Sequence, residues 1–180
     1  MPARPEPCPA RILVCGVCGS GKTTFARRLA HASGLPWHSV DDLTWEPGWI
    51  EVPEAEQRRR IEEICRHDRW ILDTAYGKWL DVPLERVQLI VGLDYPRVVS
   101  LARLIRRTLV RAFDGKPICN GNRESLRTAF STDSIVVWHF QSFARKRQRM
   151  RAWAADPGGP EVVLLASPRR AAAWLRSWVS

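Results

Sequence analysis

The chain has 180 residues and is 45% hydrophobic, which is enough to fill the core of one globular domain. No run approaches the roughly 18 consecutive apolar residues of a membrane span, so the composition argues against an integral membrane protein. The formal net charge of +9 at pH 7 favours polyanionic ligands such as nucleotides or nucleic acid.

The first ten residues are rich in proline and lack the apolar core of a secretory signal. We therefore expect a disordered leader over residues 1–10, a single domain over residues 11–180 and a cytoplasmic location.

An apolar strand is predicted over residues 12–15, and it leads into the sequence GVCGSGKT at residues 16–23. This segment matches G-x-x-x-x-G-K-[ST] at every fixed position, and a helix is predicted directly after it. Glycines let backbone N–H groups point at a triphosphate, while Lys22 reaches the β- and γ-phosphates and Thr23 is suited to Mg²⁺. The residues predicted to bind ATP are Gly16, Gly19, Ser20, Gly21, Lys22, Thr23 and Thr24.

Acidic residues follow the next two predicted strands. Residues 37–40 form the second strand and deliver Asp41 and Asp42 to the edge where open α/β sheets bind ligands. Residues 70–72 form the third strand, which ends in Asp73. This position beside the phosphate loop predicts that Asp73 holds Mg²⁺, directly or through water; the alternative is a cap for the next turn.

Two stretches near these strands are predicted to surround the cleft. Residues 43–50 contain a Pro-Gly turn signal and are predicted to form a loop over it, and residues 74–77 are predicted to line the acceptor pocket. A charged amphipathic helix is predicted between them, over residues 54–66.

The fourth predicted strand, residues 87–93, leads into a helix on which Arg103 and Arg107 share a face, and this pair predicts an anion-binding stripe. The polar segment at about 113–131, with Arg123 near its centre, is predicted to be a mobile lid.

A long helix predicted over residues 131–153 ends in the basic run Arg145–Arg151. Two interpretations of that run stay open: it faces water near the helix C-terminus, or it binds nucleic acid. Between Arg97 and Arg151 there are 13 Lys and Arg residues against three acidic residues, so this segment carries the basic character of the chain. A fifth strand over residues 161–166 and a terminal helix complete the pattern.

Five motifs together resemble the nucleotide kinases of the P-loop superfamily. They are GVCGSGKTT at 16–24, VDDLTWEPGW at 40–49, WILDTAY at 70–76, LDYPR at 93–97 and GNRES at 121–125. The resemblance is to adenylate kinase-like proteins, and more closely to bacterial DNA topology modulation (FlaR-related) proteins. It implies an α/β, three-layer P-loop NTPase fold with a five-stranded parallel sheet flanked by helices and an arginine-rich lid. The chain departs from that family at Thr74-Ala75, where relatives have Gly-Asn.

The resemblance implies an ATP- and Mg²⁺-dependent kinase that phosphorylates a small acceptor, with a nucleotide or nucleoside-type molecule expected. Lys22 would hold the phosphates, Asp41 would orient or deprotonate the acceptor, and Thr23 and Asp73 would hold the metal. Lid charges are expected from Arg103, Arg107 and Arg123. Two alternatives remain. One is an ATP-dependent or ATP-regulated nucleic-acid-binding protein that uses residues 97–151, and the other is a regulatory protein that binds nucleotide without catalysis.

Overall fold

Five short strands form one parallel sheet in the computed structural model, which describes residues 8–74, 77–114, 120 and 135–178. The strands are β1 (Arg11–Gly16), β2 (Trp37–Ser39), β5 (Trp70–Thr74), β6 (Leu89–Leu93) and β7 (Glu161–Leu165). Their order across the sheet is β2-β5-β1-β6-β7, and every neighbouring pair is parallel. The five-stranded parallel sheet expected from the sequence is thereby confirmed.

The helices cover both faces of the sheet, as parallel sheets require. They are α1 (Lys22–Ser33), α2 (Val40–Thr44), α3 (Glu54–Arg66), α4 (Asp81–Leu84), α5 (Arg97–Asp114), α6 (Ile135–Ala155) and α7 (Pro168–Arg176). Side chains of β1 alternate between the faces: Ile12 and Val14 pack with α1 and α7, whereas Leu13 and Cys15 pack with α3 and α6. The result is the three-layer α/β arrangement that the resemblance implied.

The region after β2 differs from the sequence prediction. The strand ends at Ser39, because the Ser39 hydroxyl accepts a hydrogen bond from the Asp42 N–H at 3.4 Å and caps α2. Two acidic residues in the first turn of α2 favour a helix there as well. The predicted loop over residues 43–50 instead contains the two strands of a small antiparallel hairpin, β3 (Trp45–Glu46) and β4 (Ile50–Glu51).

Most of the predicted lid and residues 1–7 of the predicted leader lie outside the described residues. Ala10, at the end of that leader, accepts a hydrogen bond from the Trp70 N–H at 2.9 Å. The division of the chain into leader, domain and lid stays a prediction. Within the described part of the chain, no helix is both long enough and apolar enough to cross a membrane.

Candidate active site

The phosphate loop connects β1 to α1 at the carboxyl edge of the sheet. Gly19 and Gly21 have φ values of +78° and +90°, which residues other than glycine adopt only at a cost in free energy. A Cβ on Gly19 would lie 2.2 Å from the Ser100 carbonyl oxygen and 2.8 Å from the Leu104 Cβ. Helix α5 therefore packs directly on the loop, and glycine is required there both for the backbone conformation and for this close approach.

Arg103 lies against the loop, and its predicted role as a lid charge stays a prediction. Its Nη1 donates to the Ser20 carbonyl oxygen at 3.0 Å, and its guanidinium lies 5.9 Å from the centre of the Tyr95 ring. The arginine thus braces the loop backbone and adds positive charge beside it. Arg107 is half-buried one turn further along α5, and Arg123 lies outside the described residues; the roles of both as lid charges stay predictions.

Asp73 is the next-to-last residue of β5 and lies near the first turn of α1. Its side chain is buried, and Oδ1 accepts a hydrogen bond from the Val40 N–H at 3.2 Å. Burial raises the pKa of Asp73 above its ordinary value, while the nearby Thr23 hydroxyl and the charge of Lys22 oppose that rise. The two predicted metal residues, Thr23 and Asp73, therefore lie close together.

A hydroxyl beside a buried carboxylate fits Mg²⁺, which proteins commonly bind through one or two carboxylates together with substrate phosphates. Among the described residues, no group of three or more His, Cys, Asp or Glu side chains is arranged to hold a metal by itself. Thr23 and Asp73 are therefore suited to a metal that arrives with the nucleotide.

Asp41 and Asp42 lie in the first turn of α2 and are exposed. The charge of Asp41 contributes to the raised pKa of Asp73, so the two carboxylates occupy the same end of the sheet. Asn120, within the predicted lid segment, donates its side-chain amide to the carbonyl oxygens of Asp42 and Trp45 at 2.8 and 2.6 Å. These contacts connect that part of the chain to the segment that carries Asp41.

Helix α6 forms a second wall that the sequence prediction missed. His139 is fully buried, and its Nδ1 lies 3.1 Å from the carbonyl oxygen of Cys18 in the phosphate loop. A carbonyl only accepts, so Nδ1 carries a proton. Burial lowers the pKa of His139, which favours the neutral ring. His139 therefore holds the loop from the α6 side.

The basic run at the end of α6 divides into two flanks. Arg147 and Arg151 both bind the buried carboxylate of Asp94, Arg151 through Nε and Nη2 at 3.0 Å. Lys146 and Arg149 instead lie towards the carboxyl end of β1 and the phosphate loop. Four of the basic residues are thus engaged within the fold, which corrects the interpretation of the run as a purely solvated face.

The α6 residues could have been found from their spacing. The buried positions His139, Ser142, Phe143, Lys146 and Met150 recur every three or four residues, which is the period of one helix face. The signal is a lysine within this buried stripe, which the total charge of the run does not reveal.

Thr24, the last predicted ATP-binding residue, is exposed and lines a groove of about 710 Å³ between α1 and α7. Arg27 and Arg28 line the same groove and make it positively charged. The loop end of this groove is therefore next to the phosphate site.

Comparisons with known proteins agree with this architecture. A family model described as an AAA domain matches residues 12–95. A gluconokinase from Sinorhizobium meliloti 1021 is similar in structure, with 18% identity, coverage of 95% of this chain and 90% of that chain, and a TM-score of 0.55. No curated protein sequence matches significantly.

Two shikimate kinases are similar at the same level. The enzyme from Aquifex aeolicus vf5 is 14% identical, with coverage of 92% and 91% and a TM-score of 0.54. The enzyme from Bacteroides thetaiotaomicron is 13% identical, with coverage of 93% and 94% and a TM-score of 0.54. None of the three is described as adenylate kinase-like or FlaR-related. The chain therefore has the three-layer α/β fold of the P-loop NTPases, in the form shared by these small-molecule kinases.

Proposed function

We propose that the protein is an ATP-dependent kinase that transfers the γ-phosphoryl group of ATP to a small acceptor molecule. The observation that carries this proposal is the buried carboxylate of Asp73, held by the Val40 N–H with the Thr23 hydroxyl close by, at the end of the sheet that carries the Lys22 phosphate loop. A loop for phosphates, a hydroxyl–carboxylate pair for the metal and an open edge next to them are the components that phosphoryl transfer needs. Because the similar structures include gluconokinase and shikimate kinases, the acceptor class extends beyond nucleotides to other small molecules.

The transfer itself needs alignment and charge neutralisation more than covalent help from the protein. An oxygen of the acceptor attacks the γ-phosphorus, a new P–O bond forms, and the bond from the γ-phosphorus to the β–γ bridging oxygen breaks, so that ADP leaves. Backbone N–H groups of the loop and Lys22 hold the phosphates. Bound Mg²⁺, held by Thr23 and Asp73, would neutralise phosphate charge. Arg103 adds positive charge while it holds the loop at Ser20.

Asp41 is the candidate for the acceptor side of the reaction. It lies at the same end of the sheet as Asp73 and is exposed, so it is accessible to an acceptor hydroxyl. If the acceptor reacts through a hydroxyl, Asp41 orients it and accepts its proton. If the acceptor reacts through a phosphate oxygen, no base is needed, and Asp41 contacts another part of the acceptor. Unchanged turnover by Asp41→Asn on a hydroxyl acceptor would exclude the base assignment.

The proposal is tested by ADP release from Mg-ATP with nucleoside monophosphates, nucleosides, sugar acids and other hydroxylated metabolites as acceptors. We expect acceptor-dependent release that Lys22→Ala lowers by at least about 100-fold, the scale of losing one group that stabilises transition-state charge. Arg169→Ala, which removes an exposed charge from α7, is the control and should retain activity. Nucleotide binding without transfer to any acceptor would favour the regulatory or nucleic-acid alternative.

A further inference from the structure

The basic end of α6 carries similar charges in two different environments. On one flank, the single carboxylate of Asp94 forms ion pairs with both Arg147 and Arg151. On the other flank, no carboxylate among the described residues forms an ion pair with Lys146 or Arg149. The same helix therefore presents one flank that is paired with a carboxylate and one flank whose positive charge has no acidic partner in the described part of the chain.

Arg149 lies where the chain leaves β5. A Cβ added to Gly77 would be 3.1 Å from both terminal nitrogens of Arg149, so the guanidinium packs against the Gly77 backbone. The charge of Arg149 also acts on the buried thiol of Cys15 at the end of β1. The guanidinium therefore lies beside Gly77 and near the carboxyl end of β1.

Lys146 lies one turn earlier on the buried face of α6, with 8% of its surface exposed. Its ammonium is 5.5 Å from the centre of the Trp138 ring and within electrostatic range of Cys18 and Lys22 in the loop. Burial lowers the pKa of Lys146, and the nearby charges of Lys22, Arg145 and Arg149 lower it further. A buried cation among other cations is unfavourable, and a bound anion would relieve it.

We propose that the acceptor carries a carboxylate or phosphate group that binds to Arg149, with Lys146 supplying a second positive charge beside it; this inference rests on the proposed kinase function. The planar guanidinium matches both groups through paired hydrogen bonds. The pair makes the cleft selective, because a neutral acceptor would leave both cations without a partner. Sugar acids, hydroxy acids and nucleoside monophosphates fit this requirement, whereas free sugars and nucleosides do not.

The test measures binding to protein that is saturated with Mg²⁺ and a non-hydrolysable ATP analogue, so that the nucleotide site is filled. The probes are matched pairs: gluconate with glucose, shikimate with its methyl ester, and AMP with adenosine. By isothermal titration calorimetry, we expect at least one anionic member to bind at least about tenfold more tightly than its neutral partner. No binding by any anionic probe, or equal binding within every pair, would overturn the inference.

Three substitutions connect that preference to the α6 flank. Arg149→Gln should weaken binding of the anionic probe at least about tenfold, and Arg149→Lys should recover part of the loss because it keeps the charge. Gly77→Ala should weaken binding less, because the added Cβ displaces the guanidinium without removing it. Arg145→Gln, an exposed position on the same helix, is the charge-matched control and should leave binding unchanged. An anionic preference that survives Arg149→Gln would overturn the assignment.

Turnover separates this inference from the proposed function. With an anionic acceptor, Arg149→Gln should raise KM for the acceptor with little change in kcat, because the anionic group is already bound before the reaction. Efficient phosphorylation of neutral acceptors by wild type and by Arg149→Gln would leave the kinase standing and overturn the anionic requirement. Arg149-dependent anion binding without any phosphoryl transfer would overturn the kinase function and leave the anion site standing.

Discussion

The two walls of the cleft obtain their positive charge by different means. The phosphate-loop wall is continuous in sequence: eight residues after β1 supply the turn, the backbone N–H groups and Lys22. The α6 wall is built by tertiary packing, since His139 and Lys146 meet the loop only because α6 lies on the same face of the sheet as Cys15. A motif fixes the first wall, and the second depends on which side of a helix faces the sheet.

This difference suggests a division of labour. The loop wall holds groups common to every ATP-dependent kinase, so it identifies the reaction and says little about the acceptor. Helices α6 and α2 carry the side chains that are proposed to act on the acceptor. Substitutions on the two walls should therefore have separable effects.

The largest effect is expected on the loop wall. Gly19→Ala places a Cβ 2.2 Å from a backbone oxygen of α5 and imposes a positive φ on alanine, costs of roughly 1–3 kcal/mol and about 1–2 kcal/mol respectively. We expect a lower melting temperature and at least about 100-fold weaker binding of a fluorescent ATP analogue, equivalent to about 2.8 kcal/mol.

Gly34→Ala is the matched control for that substitution. Gly34 ends α1 with φ +68°, but nothing lies within 4 Å of an added Cβ. It should lose only about 1–2 kcal/mol of stability and keep nucleotide binding. Equal loss of nucleotide affinity in both variants would contradict the role given to the packing of α5 on the loop.

A smaller effect, on stability, is expected at the flank of α6 that pairs with Asp94. Asp94→Asn removes a buried acceptor for Arg147 and Arg151, and we expect a loss of about 1.5–3 kcal/mol in denaturant unfolding. Asp68→Asn, which breaks an exposed ion pair with Arg86, should cost about 1 kcal/mol or less. The preference for anionic over neutral acceptors should survive Asp94→Asn. Loss of that preference would mean that the two flanks do not act separately.

Substitution of Asp73, the proposed metal residue, should have a smaller effect on stability that depends on pH. Because burial raises the pKa of Asp73, the folded state binds its proton more tightly than the unfolded state, and ionisation costs stability as the pH rises above the ordinary value of about 4. Asp73→Asn keeps one oxygen that can accept the Val40 hydrogen bond and removes the charge. Its melting temperature should exceed that of wild type near neutral pH. The difference should shrink as the pH falls towards the ordinary carboxyl pKa of about 4. A variant that is less stable than wild type near neutral pH would contradict this assignment.

The smallest effect is expected in the binding of nucleic acid by the basic segment. Since Arg147 and Arg151 are paired with Asp94, only part of the charge in residues 97–151 is available to a polyanion. DNA binding measured by fluorescence anisotropy should be weak and should disappear at physiological salt. Tight binding that persists at that salt concentration would favour the nucleic-acid alternative over the kinase.

The sequence supported correct predictions where the determinants are local. The strand, loop and first helix around Lys22 follow from adjacent residues. Helix α2 was missed because the Ser39 cap competes with the continuation of an apolar strand. Lys146 was missed although its place in the buried stripe of α6 marks it, whereas the approach of Arg149 to Gly77 depends on tertiary packing that helical spacing does not reveal.

The most direct test of the kinase assignment is detection of the product itself. Phosphorus NMR of protein, Mg-ATP and an anionic acceptor should show the ATP γ-phosphate signal replaced by that of a phosphorylated acceptor, with ADP appearing in equal amount. The same mixture with Lys22→Ala should show no such product. ATP that remains intact with every acceptor, or ADP that appears only with inorganic phosphate, would contradict the assignment.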